Sequence, residues 1–101
     1  MILEQLSGLS LELVDESLVE QLSFNGSSVS ATLGEHAGAV YAPILEVHLN
    51  AEQELIFRGA AIDLCWAKIV LYANELVVMR NGQPATYKIL SRRLPRRPYL
   101  P

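Results

Sequence analysis

Two histidines, one cysteine and eleven carboxylates carry the reactive chemistry in this chain of 101 residues. His36 follows Glu35 in Gly34-Glu35-His36-Ala37-Gly38, where a proton-transfer pair is one reading and a solvated loop histidine the simpler one. Glu46 and His48 stand two apart, which on a strand aims both side chains the same way. One carboxylate and one imidazole fall short of a metal ligand set, and the pattern fits an outer-face pair opposite Arg58. Cys65 beside Trp66 has only Lys68 as a nearby base and reads as a small buried hydrophobe rather than a nucleophile. No glycine-rich phosphate loop, Walker-type lysine or zinc spacing is present. The expectation is a non-enzymatic protein with no catalytic constellation, no metal and no cofactor.

The elements that must hold these residues announce themselves through turns. Asn25-Gly26 and Asn81-Gly82 each lie between apolar runs, and Asn-Gly supplies the positive-φ pair of a type I′ hairpin turn. For the first, a two-residue loop pairs Phe24 with Ser27, Leu22 with Val29, Glu20 with Ala31 and Leu18 with Leu33. Leu18, Leu22, Val29, Ala31 and Leu33 then share one face. For the second, Arg80 meets Gln83, Val78 meets Ala85 and Leu76 meets Tyr87, with Glu75 opposite Lys88 and Val77 opposite Thr86 on the other face. A one-residue slip would turn either apolar set outward. A third hairpin brings Leu49 opposite Leu55, Val47 opposite Phe57 and Glu46 opposite Arg58. Pro43 lacks an N–H, so its strand is at an edge or enters its ladder late.

Two segments fit either element type. Residues 62–73 have strand composition, and Asn74 turns them directly into the next strand, yet Ile62, Cys65, Trp66, Ile69, Val70 and Ala73 also make a helical face. Leu9, Leu11 and Leu13 alternate as a strand, while residues 15–22 have Ser17 and Glu20 at capping-box spacing. The sum is an all-β, antiparallel up-and-down meander of seven or eight short strands, closing into a small barrel or sandwich, with a possible short helix near 15–22 or 62–73. Residues 1–91 form the single domain, and 92–101, with four Arg and three Pro, form a basic tail.

Charge is divided along the chain. The first 57 residues hold nine acids and no Lys or Arg, the last 44 eight bases and two acids, so the halves carry −9 and +6 within a net −3. Side by side in one domain, the halves would neutralise each other. A chain of net −3 is a poor partner for nucleic acid. No run approaches the roughly 18 apolar residues of a membrane helix, and Met1-Ile2-Leu3-Glu4 shows no basic leader, so a soluble cytoplasmic protein is expected, with no membrane partner. Arg92-x-x-Pro95-x-x-Pro98 has the form of a polyproline ligand, although a flexible or self-docking tail is the plainer reading.

Leu6-Ser7-Gly8-Leu9-Ser10-Leu11 at the start, Leu22-Ser23-Phe24-Asn25-Gly26 as a first hairpin, and Ala67 to Arg92 as a closing hairpin ending in Tyr87-Lys88-Ile89 give a layout that resembles the small bacterial lipocalin-like domains of the calycin group. That family commonly carries Trp two residues after the first Gly, where this chain has Ser10. The resemblance implies an up-and-down barrel whose interior admits an apolar ligand, and it carries over no catalytic residue.

Half the residues are hydrophobic, and a chain this short buries only about two thirds of its unfolded surface. Two functions compete for the surplus. A binding barrel would hold a small apolar ligand, lined by Glu20, Tyr41, Trp66 and Tyr87, with Glu20 set by register on an apolar face. An associating protein, a homodimer or a partner's accessory subunit, would instead use an outer surface of Ile44, Ile56 and Val77 with Arg92, Arg93, Arg96 and Arg97. Because a small barrel is filled by its own side chains, the association reading leads.

Overall fold

The computed structural model describes residues 2–16, 18–26, 28–35, 38–59 and 63–92, side chains at 2, 35 and 38–45 excepted. A short helix, α1 (Ile2–Leu6), precedes eight strands: β1 (Leu9–Leu13), β2 (Leu18–Asn25), β3 (Ser28–Glu35), β4 (Gly38–Leu49), β5 (Leu55–Gly59), β6 (Asp63–Leu71), β7 (Glu75–Arg80) and β8 (Gln83–Arg92). Every strand pairs antiparallel with the next, and β8 returns to β1, from Leu9↔Arg92 to Leu13↔Tyr87. The meander is therefore a closed barrel rather than a sandwich. Closure removes the two open edges that an eight-stranded sheet would otherwise present.

Alternation does most of the positioning. In β1, Leu9, Leu11 and Leu13 point inward and are buried, while Ser10 and Glu12 point out. The inward residues of the other strands complete the core, in which Trp66, Tyr87, Phe57, Leu11, Leu22, Leu55, Leu76 and Val78 are sealed from solvent. Four rings meet there: Phe57 and Trp66 lie with centroids 4.8 Å apart, Trp66 and Tyr87 also 4.8 Å, and Phe24 stands 6.0 Å from both Phe57 and Trp66. These are the edge-on and tilted geometries that aromatic quadrupoles favour.

The second and third hairpins have the registers expected from the sequence. Arg80↔Gln83 closes β7–β8 around Asn81 (φ 49°) and Gly82 (φ 83°), and Leu49↔Leu55, Val47↔Phe57 and Glu46↔Arg58 align β4 with β5. In the β4–β5 turn the Asn50 Oδ1 accepts from the amides of Glu52 and Glu54, while Gln53 takes the left-handed conformation (φ 65°). Pro43 lies just before the first β4–β5 pair, Ile44↔Gly59, so on that side the strand does enter its ladder late. Residues 63–71 are strand, not helix, and the run turns into β7 as expected.

Three expectations are corrected. The first hairpin pairs Phe24 with Val29, Leu22 with Ala31 and Glu20 with Leu33, two residues displaced from the expected register. Asn25 is the last paired residue of β2, and Gly26 alone of the Asn-Gly pair lies in the turn, with φ 63°. A shift of two preserves the face of every side chain, so the inward set survives. It also brings Phe24 opposite Val29 in the core. Leu18 is the exception: at the mouth of the barrel, it is 46% exposed.

The helix is likewise not near 15–22 or 62–73 but at Ile2–Leu6. Five residues are too few for a helix to stand alone, and tertiary contacts fix this one. Leu6 is fully buried and Leu3 packs on the core. The chain leaves α1 through Gly8, whose φ of 89° suits a helix-ending glycine and whose amide donates to the Phe24 carbonyl. Ser7 Oγ accepts from the Gly26 amide at 3.0 Å. The helix is thus fastened to the β2–β3 hairpin and covers that end of the barrel. Among the described residues no helix is long and apolar enough to cross a membrane.

Candidate functional site

At the other end of the barrel the interior becomes polar. Glu20 enters from β2 in the inward register and is 3% exposed, the buried charge of the described core. Its Oε2 accepts from the Tyr87 hydroxyl and from Arg80 Nε at 3.2 Å, and its Oε1 accepts from Arg80 Nη2 at 2.5 Å. Arg80 ends β7 and its side chain is 24% exposed, so the guanidinium bridges the interior and the solvent. The two-pronged contact is the geometry in which arginine binds carboxylate best. Removal from water is costly for Glu20, and three hydrogen bonds offset it.

The cluster shapes its members' proton chemistry. Burial, and then the negative charge of Glu20, push the Tyr87 phenol far above its ordinary value. Its hydrogen bond to Glu20 holds Arg80 even more firmly protonated. Trp66, paired with Arg80 across β6 and β7, completes the wall. Its indole N–H has no hydrogen-bond partner. A fully buried donor without an acceptor is uncommon and marks this spot as polar but incompletely satisfied.

Of the proposed pocket residues, Glu20, Trp66 and Tyr87 therefore meet. Tyr41 is paired with Thr32 in the β3–β4 ladder, and its side chain lies outside those described. Arg80, the strongest partner of Glu20, was not among the expected site residues. Its signal was present in the β7 register, which puts Arg80 on the inward face with Leu76 and Val78, as the Asn25-Gly26 register puts Glu20 inward. Two inward charges of opposite sign in one small barrel must meet or be neutralised.

The proposed interface residues divide. Val77 and Ile56 are outward and half-buried, and Ile44 is in β4, with its side chain outside those described. Arg92 donates from Nη2 to the Ala73 carbonyl at 2.9 Å, while Arg93, Arg96 and Arg97 lie outside the described residues. The more exposed apolar side chains are others: Val14 (64%), Tyr72 (54%), Val70 and Leu90 (45% each), on β1, β6 and β8 or the residues following them, besides Leu18 at the mouth of the barrel. Val70 pairs with Val77, Val77 pairs with Thr86, and the Val14 amide donates to the Thr86 carbonyl, so these four make one outward row across β6, β7, β8 and β1.

The remaining chemical candidates are placed without a centre forming. Glu46 stands opposite Arg58 and His48 opposite Ile56, all on the outer face. Among the described residues no group of three metal-ligating side chains occurs, and His36 lies outside them. The Cys65 thiol is raised by burial and by the neighbouring Glu54 carboxylate, which makes it a weak nucleophile. The charge-divided halves do meet: Glu20 bonds Arg80, while Glu12 faces Lys88 and Glu46 faces Arg58 across strand pairs. Of these three, only Glu20–Arg80 closes to an ion pair. No family model, curated protein or solved structure matches this chain, so its architecture and side chains are what speak for its function.

Proposed function

We propose that this chain is a non-enzymatic, cytoplasmic β-barrel protein that acts through protein–protein association, on its own kind or as an accessory subunit. The outward row Val14, Val70, Val77 and Thr86 carries the proposal, because its valines Val14 and Val70 are apolar surface that the barrel leaves exposed. The aromatic cluster in the interior supports it, since mutually packed rings already occupy the space a larger ligand would need. Native mass measurement over a range of protein and salt concentrations tests the reading. A species heavier than the monomer, alone or with a co-purified subunit, is the expected result. A monomer at every concentration and salt, with no bound subunit, would sink it.

The unpartnered Trp66 N–H favours a second reading, a lipocalin-like barrel for a small apolar ligand with one acceptor atom. In that reading the acceptor meets Trp66 near Tyr87 and Arg80, and the Glu20 carboxylate orients both. Titration of Trp66 fluorescence with a cavity-seeking dye tests it. Binding that survives in Glu20→Arg would count against a pocket at this place.

A further inference from the structure

The outer surface of β6, β7, β8 and β1 carries more than an apolar row. Next to it runs a second, charged row: the Tyr72 amide donates to the Glu75 carbonyl, Glu75 pairs with Lys88, and Lys88 pairs with Glu12. On the other side of the apolar row, Ala67 pairs with Met79 and Met79 with Pro84. Within one chain neither Glu75 nor Glu12 closes to an ion pair with Lys88, so the lysine's charge remains open to a further partner.

We infer that the occupant of this surface is a second copy of the same chain, docked face to face about a two-fold axis that runs along the strands between β7 and β8. This rests on the association reading above and names its partner. The operation exchanges β7 with β8 and β6 with β1. It sets Glu75 over the partner's Lys88, and Lys88 over the partner's Glu75, so each opposed pair is of unlike sign. The same operation lays Val77 on the partner's Thr86 and Val70 on the partner's Val14, keeping the apolar row on itself. Self-complementarity of this kind is what an isologous interface requires. An axis displaced by half the strand spacing onto β7 would set Glu75 against its own copy and lose the match, since like charges in juxtaposition repel. Lys68, an exposed base on β6, lies at the flank and does not meet Lys88 under this axis. Two convex barrels touch over few strands, so the interface belongs to the smaller class and the dimer is concentration-dependent.

The test uses single cysteines on a Cys65→Ser background. Val77→Cys mixed with Thr86→Cys is expected to form a disulfide-linked heterodimer under mild oxidation in preference to either homodimer. Charge variants give an independent measurement by sedimentation. Lys88→Glu is expected to weaken dimerisation by about tenfold or more, and the double exchange Glu75→Lys with Lys88→Glu to restore it, with thermal melts confirming that each barrel is folded. Dimers whose cross-links ignore this pairing, or whose strength is indifferent to the charge exchange, overturn the axis while leaving association standing. A monomer throughout overturns both.

Discussion

Glu20 ties β2 to β7 and β8 through the interior, because its carboxylate accepts from both Arg80 and Tyr87. Glu20→Gln removes the charge but not the volume and leaves the Arg80 guanidinium without its counter-ion. Breaking a buried pair costs about 3–5 kcal/mol, and the partial exposure of Arg80 lowers the expected loss to about 2–3 kcal/mol, to be read from urea unfolding. Tyr87 makes a pH prediction. Its folded pKa is raised, so its contribution is complete below the unfolded value of about 10 and is lost as pH rises further. Stability of the native chain should fall steeply above pH ~10, and Tyr87→Phe should flatten that alkaline limb while costing about 1 kcal/mol at neutral pH. The acid half of this cluster was legible in the sequence, because one Glu in an apolar-facing register is conspicuous. The basic half was less so: Arg80 sits beside a turn, where an arginine ordinarily reaches solvent, and only the closure of β8 on β1 brings β7 within reach of β2.

The strands and turns were the most readable level, for a physical reason. A hairpin couples turn chemistry to a two-residue period, so each signal checks the other, and Asn81-Gly82 passed both tests because both residues take positive φ. Asn25-Gly26 misled by two residues because apolar residues on either side accept both registers with the same face inward. Helix α1 was hidden for the opposite reason. Five residues have no periodicity to display, and what holds them is a seat on the barrel rather than propensity. Two turn variants follow. Gly82 has open space around its Cα, so Gly82→Ala meets no clash, yet its φ of 83° should still cost about 1 kcal/mol in a thermal melt. Lys68 has φ 52° in the β6 bulge, where a side chain is strained, and Lys68→Gly should be neutral or stabilising by up to about 1 kcal/mol, unlike glycine elsewhere in a strand.

At the scale of the whole molecule, the two ends of the barrel are built differently. One is covered by a short helix held through Leu6, and the other by an ion pair that reaches the surface through Arg80. Leu6→Ala should cost about 2–5 kcal/mol in urea unfolding, as for other buried leucines. The charge division of the sequence has its counterpart here as well, since Glu12 of β1 and Glu46 of β4 lie beside Lys88 of β8 and Arg58 of β5, and Glu20 of β2 meets Arg80 of β7. The closure of β8 onto β1 has a further consequence in time. A ribosome releases the acidic strands first, and until Tyr87 and its neighbours emerge the growing chain is an open sheet with a bare edge, an unpaired Glu20 and an uncovered row of leucines. A chain truncated before Gln83 should therefore aggregate rather than persist as a smaller barrel, and birth, more than maturity, is when this protein would need a chaperone.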